Sequence, residues 1–132
     1  MSKRSEVVKI FESAAREAGK LINKEFGKVT ESKVQSKDLG DFVTNTDLET
    51  ENILLNILKK HFPNSSYLTE ESDPLKGNDE TIVIDPIDGT SNFIHGIPSI
   101  GIVIARVHKD EITDGIIFNP VSDELFFASR DK

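Results

Sequence analysis

Residues 81–93, TIVIDPIDGTSNF, decide the fold of this chain and point to a binding site. The β-branched run from Thr81 to Ile84 predicts a short buried strand, and Asp-Pro followed by Asp-Gly predicts a turn directly after it. Asp85 and Asp88 would therefore stand together at the end of a strand. Their hard oxygen donors favour magnesium, manganese or calcium over zinc, and Gly89 would let the chain approach an anion closely. The same residues also make a good loop without any ligand.

Composition limits the class of protein. A length of 132 residues suits one domain with its own core, and 36% hydrophobic with 30% charged residues describes a globular protein. The formal net charge of -7 argues against nucleic acid as a partner, because a phosphate backbone requires clustered Lys and Arg. The chain has no cysteine, no signal-like apolar start and no apolar run near the roughly 20 residues of a membrane span. We therefore expect a cytoplasmic protein without membrane contact.

The first element is predicted to be a helix. Apolar residues recur at helical spacing from Ser5 to Phe26, with Ser5 as the N-cap and Gly27 as the stop. The polar segment that follows, residues 28–41, predicts a loop with one strand near residues 30–35.

A second helix is predicted to begin at Thr46 or Asp47, because capping residues there precede the apolar positions of residues 48–58. It is predicted to stop at Phe62-Pro63, since proline cannot continue a helix.

The remaining elements are strands. Residues 66–69 predict a short strand, and residues 72–80 a loop. Three later strand-like runs, separated by turn or charged segments, suggest an antiparallel meander; they are residues 99–107, 115–118 and 125–128. The whole pattern predicts an α/β protein of the α+β type, in which two long helices pack on a largely antiparallel sheet.

Acidic residues stand at the edges of these apolar elements. Glu70 and Glu71 follow one predicted strand, as Asp85 and Asp88 follow the next. If the two strands are neighbours, Glu70 lies beside Asp85, and the start of the second helix brings Asp47 and its positive dipole end to the same edge. Such a site would hold two divalent ions beside a phosphate-binding rim. Taken singly, Glu70-Glu71 also fits a solvated loop, and Asp47 also fits a helix cap.

Three motifs in this order and spacing resemble the inositol monophosphatase family of magnesium-dependent phosphatases. They are DFVTNTD at residues 41–47, TEES at residues 69–72, and DPIDGTSNF at residues 85–93 with HGIP directly after. The resemblance runs from the first helix to Arg130. It implies the N-terminal half of the family's fold and the hydrolysis of a small phosphate monoester, with inositol 1-phosphate or a related polyol phosphate as the substrate.

The resemblance also implies a set of magnesium ligands. Glu70, Asp85 and the backbone carbonyl of Ile87 would hold a first ion. Asp85 would bridge to a second ion that Asp88 also holds. Oxygen donors of this kind suit magnesium.

The remaining roles implied by the resemblance concern substrate and water. The implied catalytic residues are Asp47, Glu70, Glu71 and Thr90, and the implied substrate-binding residues are Ile87, Asp88, Gly89, Thr90 and Ser91. Asp47 and Thr90 would orient and deprotonate a metal-activated water, and Glu71 would fix a ligand or help to activate that water. Lys37 matches a loop lysine that lies close to the metals in relatives, although it also fits a solvated loop cation. His95 is interpreted as a rim or interface residue, whereas His61 and His108 are interpreted as surface residues.

The chain departs from the family pattern in one respect. Family members have a second half with a Trp-Asp motif, whose Asp completes the second metal site, and this sequence contains no Trp. Residues 1–132 are therefore expected to be an N-terminal metal- and phosphate-binding domain without the substrate domain. We expect low turnover, an incomplete second metal site, and either self-association or pairing with a C-terminal half. The alternatives are a nucleotide 3'-phosphatase, a fructose-1,6-bisphosphatase, or a non-catalytic metal-binding regulatory domain.

Overall fold

The computed structural model describes residues 4–28, 36–69 and 79–130, with side chains in the second range described from residue 45. The helices in these ranges are α1 (Glu6–Glu25), α2 (Ser36–His61) and α3 (Thr90–Ile94). The strands are β1 (Ser66–Leu68), β2 (Glu80–Asp88), β3 (Gly101–His108), β4 (Glu111–Asn119) and β5 (Glu124–Ser129). Among the helices so described, none combines the length and apolar character needed to cross a bilayer.

The described strands form one five-stranded sheet in the order β1-β2-β3-β4-β5. β1 runs parallel to β2, and every other neighbouring pair is antiparallel. The meander predicted from residues 99–107, 115–118 and 125–128 is confirmed in β3, β4 and β5, although β4 begins at Glu111 rather than at Gly115. The predicted fold class, helices layered on a largely antiparallel sheet, is confirmed.

Helix α1 begins and ends where the sequence predicted. The Ser5 hydroxyl accepts a hydrogen bond from the backbone N–H of Val8 at 3.1 Å, which satisfies one of the free donors of the first turn. The helix ends at Glu25, and Gly27 follows with a φ of 79°, a left-handed conformation that glycine adopts without strain. Val8 and the apolar residues after it form a stripe that is buried against the sheet.

One face of the sheet, together with α1 and α2, forms the core. Ile84, Ile104 and Ile116 stand opposite one another in a row across β2, β3 and β4, and all three are buried. Each buried side chain of this size stabilises the fold by about 1.5–3 kcal/mol relative to exposure. The helices contribute Val8, Phe11, Ala14, Ala15, Ala18, Ile22, Leu54 and Leu58 to the same cluster.

Helix α2 is longer than the sequence predicted. It starts at Ser36 rather than at Thr46 or Asp47, although its end at His61 agrees with the prediction. The predicted loop over residues 28–41 is therefore wrong from Ser36 onward, and the strand expected near residues 30–35 lies outside the described residues. The propensity cost of extending a helix through Gly40 is about 1 kcal/mol, which a growing helix can absorb because each added residue gains a hydrogen bond.

The opposite side of the sheet is covered by none of the described elements; we call it the open face. Its clearest row runs from Asp85 through Val103 and Ile117 to Phe126, because directly paired residues share a face. Ile117 and Phe126 are 48% and 61% exposed, and Ile112 near the β3–β4 turn is 68% exposed. This row of side chains thus begins with the Asp85 carboxylate on β2 and ends in exposed apolar side chains on β4 and β5.

A buried carboxylate ties the start of α1 to the sheet. Asp114 on β4 is 5% exposed and accepts hydrogen bonds from the hydroxyls of Ser5 at 2.9 Å, Ser129 at 3.1 Å and Thr113 at 2.9 Å. Arg106 on β3 adds an ion pair at 2.9 Å. Burial by itself would raise the pKa of Asp114, but these hydroxyl donors and the Arg106 charge together lower it below its usual value of 3.8.

Asp114→Asn is expected to destabilise the protein by about 2–3 kcal/mol. The amide NH2 would face hydroxyl groups that now donate to the carboxylate, and among the described residues Arg106 would keep only Glu80 as an ion-pair partner. Urea unfolding at pH 7 measures this loss as a lower midpoint at an unchanged slope. Asp123→Asn is the control, since the exposed Asp123–Arg16 pair is expected to contribute less than about 1 kcal/mol.

The difference between wild type and Asp114→Asn also depends on pH. Because folding lowers the pKa of Asp114, its contribution is present above the unfolded value of 3.8 and is lost as the pH falls through the folded value. The two proteins should therefore converge in stability in acid. A constant difference down to the acid limit would contradict this assignment.

Candidate active site

The sequence predicted a strand that ends at Ile84 and a turn from Asp85, whereas β2 continues to Asp88. The register pairs Asp85 with Val103 and Asp88 with Gly101, so β2 contains one more residue than β3 over the same stretch. This is a β-bulge. Bulges tolerate proline, which has no N–H to donate to the neighbouring strand, and this explains why Pro86 does not terminate β2.

The bulge places the two aspartates on one face of the sheet. In a regular strand, residues three apart point to opposite faces. Here Ile84, Pro86 and Ile87 are all buried on the side of the core, while Asp85 is half-buried and Asp88 is exposed. Because of the extra residue, Asp85 and Asp88 both point to the open face of the sheet. The sequence predicted that the carboxylates would come together, but by a turn rather than by a bulge.

The chain turns sharply at Gly89. Its φ of 92° lies in the left-handed region, and a Cβ built there would stand 2.8 Å from the carbonyl oxygen of Ser99, so only glycine fits. Helix α3 begins at Thr90, whose hydroxyl donates to the carbonyl oxygen of Ile87 at 3.4 Å. Ser91 follows and is exposed. The five residues predicted to bind substrate therefore form one continuous bulge and turn.

Asp47 lies in the interior of α2 and not at its positive end, so the predicted helix-dipole contribution at Asp47 is wrong. The spacing of Asp47, Thr50, Leu54 and Leu58 places them on one stripe of the helix. Thr50, Leu54 and Leu58 are fully buried, and the Oδ1 atom of Asp47 is buried as well. Asp47 therefore belongs to the stripe of α2 that faces the sheet.

The position of Asp47 along the sheet follows from chain direction. α2 ends at His61 next to β1, which runs parallel to β2, so α2 runs back along β2 in the opposite direction. Asp47 precedes the end of α2 by about 21 Å at 1.5 Å per residue, and β2 covers about 23 Å between Thr81 and Asp88. α2 also contacts both β2 and α3. Asp47 is therefore level with the end of β2 that carries Asp88.

Part of the predicted site falls outside the described residues. Glu70 and Glu71 lie in the range 70–78, which the structure does not describe, and β1 ends just before it, with Leu68 paired to Val83. Lys37 is in the first turn of α2, and its side chain is not described. Within the described ranges, no three acidic or histidine side chains form a metal-binding group.

The donors that the structure does align fit a hard divalent cation. Asp85 and Asp88 supply carboxylate oxygens on one face, and the carbonyl of Ile87 lies in the bulge between them. This set contains oxygen only, with no imidazole or thiolate, and so suits magnesium or manganese better than zinc. Further ligands would have to come from water, from a phosphate group or from residues beyond the described ranges.

The histidine predictions agree with the structure, and an aromatic residue packs beneath the turn. Phe93 is 1% exposed beneath the turn, and its ring contacts Phe26 with 6.2 Å between centroids. His95 is exposed at the rim, where its Nδ1 atom lies 2.8 Å from the carbonyl oxygen of Ser91. His61 and His108 are exposed, as predicted.

The fold and site together define a member of the inositol monophosphatase family. The model of that family matches residues 3–132, which is nearly the whole chain, and the chain therefore belongs to it.

Relatives with different names share this segment. The chain is 39% identical over 122 residues to the inositol-1-monophosphatase of Caulobacter vibrioides, covering 90% of this chain and 48% of that protein. It is 38% identical over 119 residues to the Nus factor SuhB of Escherichia coli K12, covering 89% and 45% respectively. The crystal structure of the extragenic suppressor protein suhB from Bartonella henselae superposes with a TM-score of 0.82 at 36% identity, covering 96% of this chain and 49% of that one. The chain thus spans about half the length of the relatives it matches.

Proposed function

We propose that this chain is the metal- and phosphate-binding half of a cytoplasmic, magnesium-dependent phosphatase that hydrolyses a small phosphate monoester, with inositol 1-phosphate as the substrate. The observation that carries the proposal is the bulge in β2, which aligns Asp85 and Asp88 on one face directly before the Gly89 turn. A bulge is an irregularity that weakens local pairing, and such features recur next to active sites. A simple structural turn would not require both carboxylates on the same face.

Each residue has a defined task in this proposal. Asp85, Asp88 and the Ile87 carbonyl would hold magnesium together with Glu70. When bound, the ions lower the pKa of water and neutralise the charge of the phosphoryl group. The Thr90 hydroxyl, which now donates to the Ile87 carbonyl, would turn to orient the attacking water.

The remaining acids and the turn complete the scheme. Asp47, level with Asp88 and partly buried, would accept a proton from the attacking water, and Glu71 would support that step. Gly89 and Ser91 would bind the phosphate oxygens through the backbone and the hydroxyl. Nucleotide 3'-phosphatase and fructose-1,6-bisphosphatase activities need the same phosphate chemistry, so the choice of inositol 1-phosphate rests on the names of the relatives.

A second candidate function is a non-catalytic, regulatory one. It is favoured by relatives named Nus factor SuhB, which match the same segment at 38% identity. In that case the metal site would be retained for structure, and turnover would be absent even in the complete protein.

We further propose that the open face is where a C-terminal half packs. The chain covers only about half the length of its relatives, so the relatives contain a second half of similar size. On the open face, the row of side chains that begins at Asp85 continues through Val103 to Ile117 and Phe126. A layer placed on this row would therefore also lie against the metal ligands, where it could supply the missing ligand and the substrate-binding wall. Exposed apolar patches of this kind mark interaction surfaces.

The proposed function is tested by phosphate release from inositol 1-phosphate with added magnesium. The chain alone is expected to show little turnover, because substrate positioning and charge stabilisation are each worth several kcal/mol. Mixing it with the C-terminal half of a family relative should restore activity by at least about 100-fold. Magnesium binding without phosphate release in the mixture would reject the catalytic proposal and favour the regulatory one.

A further inference from the structure

We infer that Asn92 and Asn119 are positioning residues, which clamp the segment Pro98–Ser99 behind Gly89 and so fix the shape of the phosphate-binding turn. The chemistry of that turn rests on the proposed function, whereas the clamp itself rests on described contacts. Asn92 lies within the DPIDGTSNF motif, which gave it no role of its own, and Asn119 lies outside all three motifs.

The first half of the clamp comes from α3. The side-chain amide of Asn92 donates to the carbonyl oxygen of Ser99 at 2.8 Å, and the carbonyl oxygen of Asn92 accepts from the N–H of Ile97 at 2.8 Å. The chain therefore folds back on α3 within seven residues. Gly96, with a φ of 70°, makes this reversal possible without strain.

The second half of the clamp comes from the end of β4. The side-chain amide of Asn119 donates to the carbonyl oxygen of Pro98 at 2.9 Å, across 21 residues of sequence. Its Oδ1 atom accepts hydrogen bonds from the N–H groups of Val121 at 3.0 Å and Ser122 at 3.2 Å. One side chain thus stabilises the β4–β5 turn with its oxygen and holds the site segment with its nitrogen.

The two bonds act on the residue that most constrains the turn. The Ser99 carbonyl held by Asn92 is the same atom that leaves no room for a Cβ at Gly89. Two residues later, Gly101 pairs with Asp88 at the start of β3. A shift of Pro98–Ser99 would therefore move the wall behind Gly89 and the partner of a proposed metal ligand together.

A positioning role fits the setting of these bonds better than a contribution to overall stability. Both bonds are exposed to solvent, where a neutral hydrogen bond contributes only about 0.5–1.5 kcal/mol. Elsewhere in the chain, the side-chain amide of Asn23 on α1 donates to the Pro120 carbonyl at 2.9 Å. That bond joins the same two chemical groups, although it is partly buried, and it holds the β4–β5 turn to α1 rather than Pro98–Ser99 to the site. It therefore serves as the comparison for the loss of a side-chain amide donor.

The test uses Asn119→Asp, Asn92→Ala and the control Asn23→Asp in the full chain. Asn119→Asp keeps the oxygen that accepts from Val121 and Ser122 and replaces the donor to Pro98 with a second carboxylate oxygen. The negative charge that it adds is matched by Asn23→Asp. Amide hydrogen exchange is followed at Phe93 and Ile97, whose N–H groups bond to the carbonyls of Gly89 and Asn92. Manganese binding is titrated in parallel as a probe of the metal site.

We expect exchange at Phe93 and Ile97 to rise by about tenfold in Asn119→Asp and Asn92→Ala, and by less than about twofold in Asn23→Asp. Manganese affinity should fall by about threefold to tenfold in Asn92→Ala, which changes no charge, while the urea midpoint stays within the range of the control.

If Asn119→Asp and Asn92→Ala show the same exchange rates as Asn23→Asp, the proposed clamp is rejected. Faster exchange with unchanged manganese affinity would overturn its positioning role. A wild-type chain that binds no manganese would instead reject the proposed function, and the exchange data would still decide whether the clamp exists.

Discussion

Replacement of Asp85 by Asn is expected to weaken divalent-metal binding by more than about 100-fold and to reduce phosphate release to background. Even residues that only support metal ligands typically cost 10–100-fold in affinity when mutated, and Asp85 is proposed to contact both ions. An amide keeps the shape of the side chain, so the strand can retain its register while it loses the charge that offsets the cation.

The measurement is a manganese titration of the chain, repeated as phosphate release once a C-terminal half is added. Asp110→Asn is the matched control. It removes the same charge from the exposed β3–β4 turn, next to Asp79 and thus at the other end of β2. Metal affinity in Asp85→Asn within about threefold of this control would exclude Asp85 as a ligand, provided that urea unfolding shows both variants to be folded.

The sequence predicted those elements whose signals are local. Helix α1 was predicted because Ser5 and Gly27 mark its ends and an apolar stripe lies between them. The start of α2 was not predicted correctly, because Thr46 and Asp47 look like a helix cap. The helix in fact continues upstream of them, through residues whose helix propensity is only moderately poor. A capping pattern shows where a helix can begin, but it does not show that an existing helix must stop.

For the site, the sequence predicted which residues take part better than it predicted how the backbone arranges them. Asp85 and Asp88 were found from their motif, and oxygen donors alone indicated the class of metal. The bulge was missed because Asp-Pro suggests a turn, and only the register with β3 shows that Pro86 is accommodated within the strand. Asn92 and Asn119 were missed because bonds from side chains to distant carbonyls follow no periodic pattern in the sequence.

The double substitution Ile117→Thr with Phe126→Thr is expected to weaken self-association of the chain by at least about 100-fold. Ile117 and Phe126 are paired across β4 and β5 on the β5 side of the open face, and both remain substantially exposed. In a symmetric dimer both chains would bury these two side chains in the interface, so the substitutions remove apolar burial from both copies. Threonine keeps β propensity and so preserves the strands.

Sedimentation over a wide concentration range measures the effect, with Leu48→Thr on α2 as a control that removes an exposed apolar side chain from the helical layer instead. A wild-type chain that stays monomeric at high concentration would contradict the prediction, as would a double variant that associates as strongly as Leu48→Thr. The same double variant should also fail to gain phosphatase activity when mixed with a C-terminal half. The open face is continuous with Asp85, so a layer that cannot dock on Ile117 and Phe126 cannot supply its residues to the metal site either.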